Sequence, residues 1–217
     1  MVHIFDVDDT IIKNTSMWYF LLEALKLRVI RFSQIRRLPV EWFKYKLSCP
    51  DMDFIENTVK NLAGIEKSAL EDIAVACFER SIKKRIYTGA QKLIREALHR
   101  GQRVIFATSS IDIVIRPLER FFGIEETLAT KLEFRDGRTT GSLVGNSMFG
   151  LKKKTGVEAW LQQKDLHPEK VCFYSDSYTD IPLLEYCGNP VAVNPDRILK
   201  REAKKRGWKI LHFKELT

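Results

Sequence analysis

Two aspartates one residue apart, Asp6 and Asp8, follow the short apolar run Val2-His3-Ile4-Phe5. Such a run, bounded by acidic and hydroxyl residues, predicts a buried strand whose carboxyl end presents carboxylates. In an open α/β sheet that end is where ligands bind. On extended backbone the two side chains would face opposite sides, so the chain has to turn at Asp8 to bring them together. Converged carboxylates repel, and a hard cation such as Mg²⁺ between them reconciles them. A lone Asp-x-Asp reads equally well as an acidic surface turn.

Two further apolar runs end in related chemistry. Arg103-Val104-Ile105-Phe106-Ala107 leads into Thr108-Ser109-Ser110. Val171-Cys172-Phe173-Tyr174 leads into Ser175-Asp176-Ser177-Tyr178-Thr179-Asp180, with Lys152-Lys153-Lys154 upstream of it. Carboxylate, hydroxyl, cation and carboxylate in this order resemble the haloacid dehalogenase superfamily of aspartate-nucleophile phosphatases. The likeness covers nearly the whole chain. Within the superfamily it is strongest to the phosphoserine phosphatase subgroup, whose cap is an all-helical insert after the first motif.

The resemblance implies a Mg²⁺-dependent phosphomonoesterase that hydrolyses a small phosphate ester through an aspartyl-phosphate. Asp6 would be the nucleophile and Asp8 the general acid/base, its pKa raised by burial beside Asp6. Thr108 and Ser109 would bind the phosphoryl group. In the subgroup the lysine lies 23 residues before the second aspartate motif, and counting back from Asp176 gives Lys153. Lys153 would neutralise phosphoryl charge and hold Asp6. Asp6, Asp8 (through its main-chain carbonyl) and Asp176 would bind the metal, and oxygen-only donors suit Mg²⁺. Asp180, four residues beyond Asp176, would share its helical face and anchor Lys153 or nearby water. Thr10 would support the loop, Asp9 would point outward, and Asn194 and Asp196 would lie in a loop beside the pocket.

Two departures bear on the substrate. Ser109-Ser110 stands where phosphoserine phosphatases have Gly-Gly, which should narrow the pocket or add a substrate contact. Thr15 stands nine residues after Asp6, where they carry a Glu that reads the substrate's amino group. The likeness therefore reaches the phosphatase class and stops short of phosphoserine. The alternatives are a phosphatase of a lipid or lipid-headgroup phosphate, an idle phosphate-binding regulatory module, and transfer to an acceptor other than water.

The elements that would position these residues alternate. Strands are predicted at 2–6, 103–107, 171–174 and 191–193, and helices near 90–100, 111–122, 152–164 and 179–187. Residues 128–143 read as a β-hairpin turning at Asp136-Gly137. This is an α/β fold, a doubly wound, Rossmann-like parallel sheet. Residues 14–86 break the alternation with helical periodicity throughout. Trp18, Phe20, Leu21, Leu22 and Leu25 suggest one apolar face, and Phe54, Ile55, Val59 and Leu62 another. The predicted organisation is a core of residues 1–13 and 87–217 with a helical cap at 14–86.

The 217 residues suffice for a buried core, and 45% apolar with 29% charged residues fits a soluble globular protein. Four cysteines without metal-ligand spacing, an N-terminus without a signal peptide and no membrane-length apolar run predict a reduced, cytoplasmic chain. The net charge of +8 is concentrated. Residues 26–46 hold seven Lys/Arg against one acid, and residues 197–217 eight against two. Such fields suit an anionic substrate or an anionic membrane surface. The aromatics interleaved with the first run, Trp42, Phe43 and Tyr45, give it the composition of a membrane-surface helix. No zinc-finger, RNA-recognition or helix-turn-helix signature points to nucleic acid.

Overall fold

The computed structural model describes residues 1–31 and 54–216. Strand β1 (Val2–Phe5) lies inside a six-stranded parallel sheet of order β3-β2-β1-β6-β7-β8. Its companions are β2 (Arg103–Ile111), β3 (Thr127–Thr130), β6 (Val171–Ser175), β7 (Asn189–Val193) and β8 (Lys209–Leu211). Between β1 and β2, and between β1 and β6, the register is unbroken, with Phe5 opposite Phe106 on one side and Tyr174 on the other. The residues that follow Phe5, Phe106 and Tyr174 therefore lie side by side.

Both faces of the sheet are covered, which is why its strands read as continuous apolar runs. Alternation along each strand divides the core. Val2, Ile4, Ile105 and Ala107 pack with α6 (Leu151–Gln163), α7 (Ile181–Tyr186) and α8 (Arg197–Arg206). Phe5, Val104 and Phe106 pack with α4 (Thr88–His99) and α5 (Asp112–Phe122).

Among the described residues of 14–86, regular structure is helical: α1 (Ser16–Lys26), α2 (Phe54–Lys60), α3 (Lys67–Cys77), a π turn at Phe78–Ile82 and a 3-10 turn at Lys83–Arg85. Phe20, Leu21, Val59 and Leu62 are buried, whereas Trp18 and Leu25 are only partly so. The chain enters and leaves this insert side by side, with an antiparallel bridge between Ile12 and Ile86. The basic stretch from residue 32 onward, with Trp42, Phe43 and Tyr45, lies outside the described residues.

The hairpin differs from expectation. Thr127–Thr130 joins the main sheet beside β2, and only β4 (Leu132–Arg135) pairs with β5 (Arg138–Leu143). The turn is as read, with Asp136 and Gly137 both at positive φ, 49° and 75°. The hairpin grips the insert: Gly64 N–H donates to Thr139 O at 2.8 Å and Thr139 N–H to Ile65 O at 3.0 Å. Helix α8 and strand β8 carry the basic C-terminal run. No described helix is long and apolar enough to cross a membrane.

Candidate active site

The segment after β1 folds back on itself. Ile11 and Ile12 N–H both donate to Val7 O, and Asp9 takes φ +54°. Val7, Ile11 and Ile12 are fully buried, so the turn is anchored by its apolar residues and Asp6 and Asp8 are fixed with it. Asp9 is not simply outward-pointing, because its Oδ1 accepts Asn14 N–H at 2.8 Å and closes the loop.

Asp6 is 6% exposed. Its N–H donates to Tyr174 O, extending the β1–β6 ladder, and its Oδ1 accepts from Lys153 Nζ at 2.9 Å. Lys153 is buried near the start of α6 and also donates to Asp180 Oδ2 at 2.8 Å. Ser175 Oγ donates to that same Asp180 oxygen at 2.7 Å. Lys153, the lysine that spacing selects, is thus the one placed between Asp6 and Asp180. Lys154 instead pairs with Glu158 on the helix surface.

Asp176 and Asp180 do not share a helical face. Asp176 lies in the turn after β6, while Asp180 ends a 3-10 turn and points back beneath the strand. Asp176 Oδ1 accepts from Thr10 Oγ1 at 3.4 Å, which ties the first and last motifs together. Asp196 caps α8 through Leu199 N–H and also accepts Tyr178 N–H, so it shapes the Asp176 turn from outside. Asn194 Oδ1 accepts Phe213 N–H at 2.8 Å, an internal structural bond.

The end of β2 is bulged: Thr108 pairs with Ala129 but Ile111 with Thr130, leaving Ser109 and Ser110 between. A bulge re-aims side chains at a sheet end. Thr108 is fully buried and its Oγ1 accepts Ser110 N–H at 3.2 Å. Ser109 O accepts from Thr130 Oγ1. Ser110 is 3% exposed, and its Oγ donates to Asp8 Oδ2 at 3.0 Å. The other Asp8 oxygen accepts Ser16 N–H at 2.7 Å from the start of α1. Ser16 and Ser110 were not legible as partners of Asp8; the hydroxyl after the second motif was the only signal.

Burial raises both catalytic-position carboxyls. Asp8 is pushed up to about 6 by burial against the pull of its bonds to Ser16 and Ser110. Asp6 is also raised by burial, with the Lys153 ammonium opposing. Burial disfavours the charge on Lys153, but Asp180 and Asp6 outweigh it and hold its proton well above the usual lysine range. An ammonium thus stays fixed beside Asp6.

The donors fit a hard cation. Lys153 links Asp6 and Asp180, Thr10 reaches Asp176, and the groups these residues offer a cation are oxygens. Asp180 Oδ1 is buried without a hydrogen-bond partner. Among the described residues no three His, Cys, Asp or Glu side chains converge on a metal position. The Asp8 carboxyl is committed to Ser16 and Ser110, so only its main chain could join Asp6 and Asp176 there.

Residues 4–185 match the model of the haloacid dehalogenase-like hydrolase family. A Neisseria meningitidis serogroup C protein named histidinol-phosphatase is 30% identical, over 97% of this chain and 98% of its own length. A phosphoserine phosphatase of Mycobacterium tuberculosis is also 30% identical, over 97% of this chain and 70% of its own. A Bordetella pertussis protein of unknown function superposes with TM-score 0.85 at 28% identity, covering 97% of both chains.

Proposed function

Because the chain belongs to the haloacid dehalogenase-like hydrolase family, we propose that it is a Mg²⁺-dependent phosphomonoesterase with Asp6 as nucleophile. The observation that carries this reading is the buried Lys153 ammonium bridging Asp6 Oδ1 and Asp180 Oδ2. It orients Asp6 and leaves Oδ2 as the attacking atom. Asp6 and Asp176 side chains with the Asp8 main-chain carbonyl would hold Mg²⁺, whose charge offsets the repulsion between carboxylate and phosphate.

Asp6 Oδ2 attacks phosphorus. The ester P–O bond breaks, and its electron pair leaves on the alcohol oxygen, which takes a proton from Asp8. Water then attacks the phosphorus of phospho-Asp6, Asp8 takes the water proton, and inorganic phosphate departs with Asp6 restored. A carboxyl raised to about 6 holds and releases a proton near neutrality, as both roles require. Lys153 and Thr108 meet the phosphoryl oxygens.

The substrate is a small phosphate monoester, and the helical insert of residues 14–86 is the cap that reads it. Thr15, the N-cap of α1, is uncharged and makes no side-chain capping bond. It supplies no carboxylate for an ammonium, which argues against phosphoserine. The relative named histidinol-phosphatase makes histidinol phosphate the first ester to try. The exposed cations of α8 add a field that favours anionic substrates. The reading predicts p-nitrophenyl phosphate hydrolysis that needs Mg²⁺, stops with EDTA and is lost in Asp6→Asn. Hydrolysis by Asp6→Asn would overturn it.

A further inference from the structure

We infer that Ser110 and Ser16 are positioning residues that aim the carboxyl of Asp8 at the ester's leaving oxygen. This rests on the reading of Asp8 as general acid. Three chain segments meet there. The turn after β1 supplies Asp8, the β2 bulge supplies Ser110, and the start of α1 supplies Ser16. Ser110 Oγ donates to Oδ2 at 3.0 Å, Ser16 N–H donates to Oδ1 at 2.7 Å, and the two hydroxyls meet at 2.6 Å. Ser16 and Ser110 are 1% and 3% exposed.

This arrangement fixes more than location. With one oxygen tied to each segment, rotation of the carboxyl about its Cβ–Cγ bond is arrested. Positioned proton donors lose much of their effect when misdirected by about 1 Å. A main-chain N–H can only donate, so the acid proton belongs on Oδ2. Oδ2 keeps accepting capacity when it carries the proton, so Ser110 Oγ can go on donating to it while the O–H faces the ester. Ala in place of Ser110 would leave Oδ2 unheld, and the Ser16 hydroxyl would lose its partner. Because Ser16 opens α1, the acid is also indexed to the insert: a displaced insert takes the Oδ1 donor with it.

The test compares kcat/KM for phenyl phosphate, whose leaving group needs a proton, with p-nitrophenyl phosphate, whose leaving group needs it far less. General acids typically contribute about 10²–10⁴-fold. Ser110→Ala is expected to lower kcat/KM about 10-fold more for phenyl than for p-nitrophenyl phosphate, below that full range because the acid is misdirected and not removed. Ser110→Thr, which keeps a hydroxyl, restores the ratio, and Ser110→Ala adds nothing in an Asp8→Asn background. Ser16→Ala, which keeps the main-chain donor, moves the ratio in the same direction by less. Equal losses on both esters, or no loss in either alanine variant, overturn the inference. Asp8→Asn alone reports on the premise: if it shows no leaving-group dependence, the general-acid reading fails. If Asp8→Asn shows it and the serine variants do not, only the positioning role fails.

Discussion

Lys153 Nζ lies 2.9 Å from Asp6 Oδ1 and 2.8 Å from Asp180 Oδ2, so Asp180, far along the sequence, helps hold the ammonium that fixes Asp6. All three groups are buried. Removing the cation leaves two carboxylates without their partner, and breaking a buried pair costs about 3–5 kcal/mol. Lys153→Met should lower unfolding free energy by about that amount and kcat by roughly 10²–10³. Urea denaturation and steady-state hydrolysis check both, and a stability loss under about 1 kcal/mol would argue against a buried charged pair.

His3 makes stability depend on pH. Its Nε2 lies 3.0 Å from Gln102 Oε1, which only accepts, so Nε2 carries the hydrogen and Nδ1 accepts from the Tyr174 hydroxyl at 3.0 Å. Burial lowers the His3 pKa below 6.5, with Gln102 opposing. A folded-state pKa below the unfolded one gives a contribution that is complete above about 6.5 and lost as pH falls through the folded value. Wild type should therefore lose more stability than His3→Gln between about pH 8 and 5. Parallel curves would count against a neutral buried His3.

The hairpin's hold on the insert predicts a sensitive glycine. Gly141 sits at φ +80°, and a Cβ there would approach Ala63 Cβ to 2.9 Å. Gly141→Ala should cost about 1–3 kcal/mol from the backbone alone. Adding Ala63→Gly should recover the steric part and leave the backbone part, which thermal unfolding of the three variants resolves. Full recovery in the double variant would contradict the backbone contribution.

Metal binding has a readout independent of turnover. Mg²⁺ that binds only the folded state raises stability, by about 2.7 kcal/mol at a hundredfold excess over Kd. The melting temperature of wild type should rise with Mg²⁺ and that of Asp176→Asn should not. An equal rise in both would remove Asp176 from the metal site.

The candidate site residues are legible because they hang on strand ends. Apolar runs placed Asp6, Thr108 and Asp176 at one edge of the sheet, and spacing selected Lys153. What escaped depends on geometry without a local pattern. The β2 bulge that turns Ser110 toward Asp8 has no turn signature in Thr108-Ser109-Ser110, and Ser16 meets it only through the folded entry to α1. Asp180 meets Lys153, one of its two expected partners, but not from a face shared with Asp176, since a 3-10 turn replaces the first turn of the expected helix. Helix α8 was read as charge because only Leu199 and Ala203 are buried on it, although Asp196 caps it.

The covalent step at Asp6 is the feature of the proposed mechanism open to the most direct measurement. Protein mixed with p-nitrophenyl phosphate and Mg²⁺, quenched in acid within a turnover and digested, should yield the peptide containing Asp6 heavier by one phosphoryl group. The label should vanish with hydroxylamine and be absent from Asp6→Asn. A phosphoryl group on any other residue, or turnover without labelling under conditions that trap it, would contradict the account.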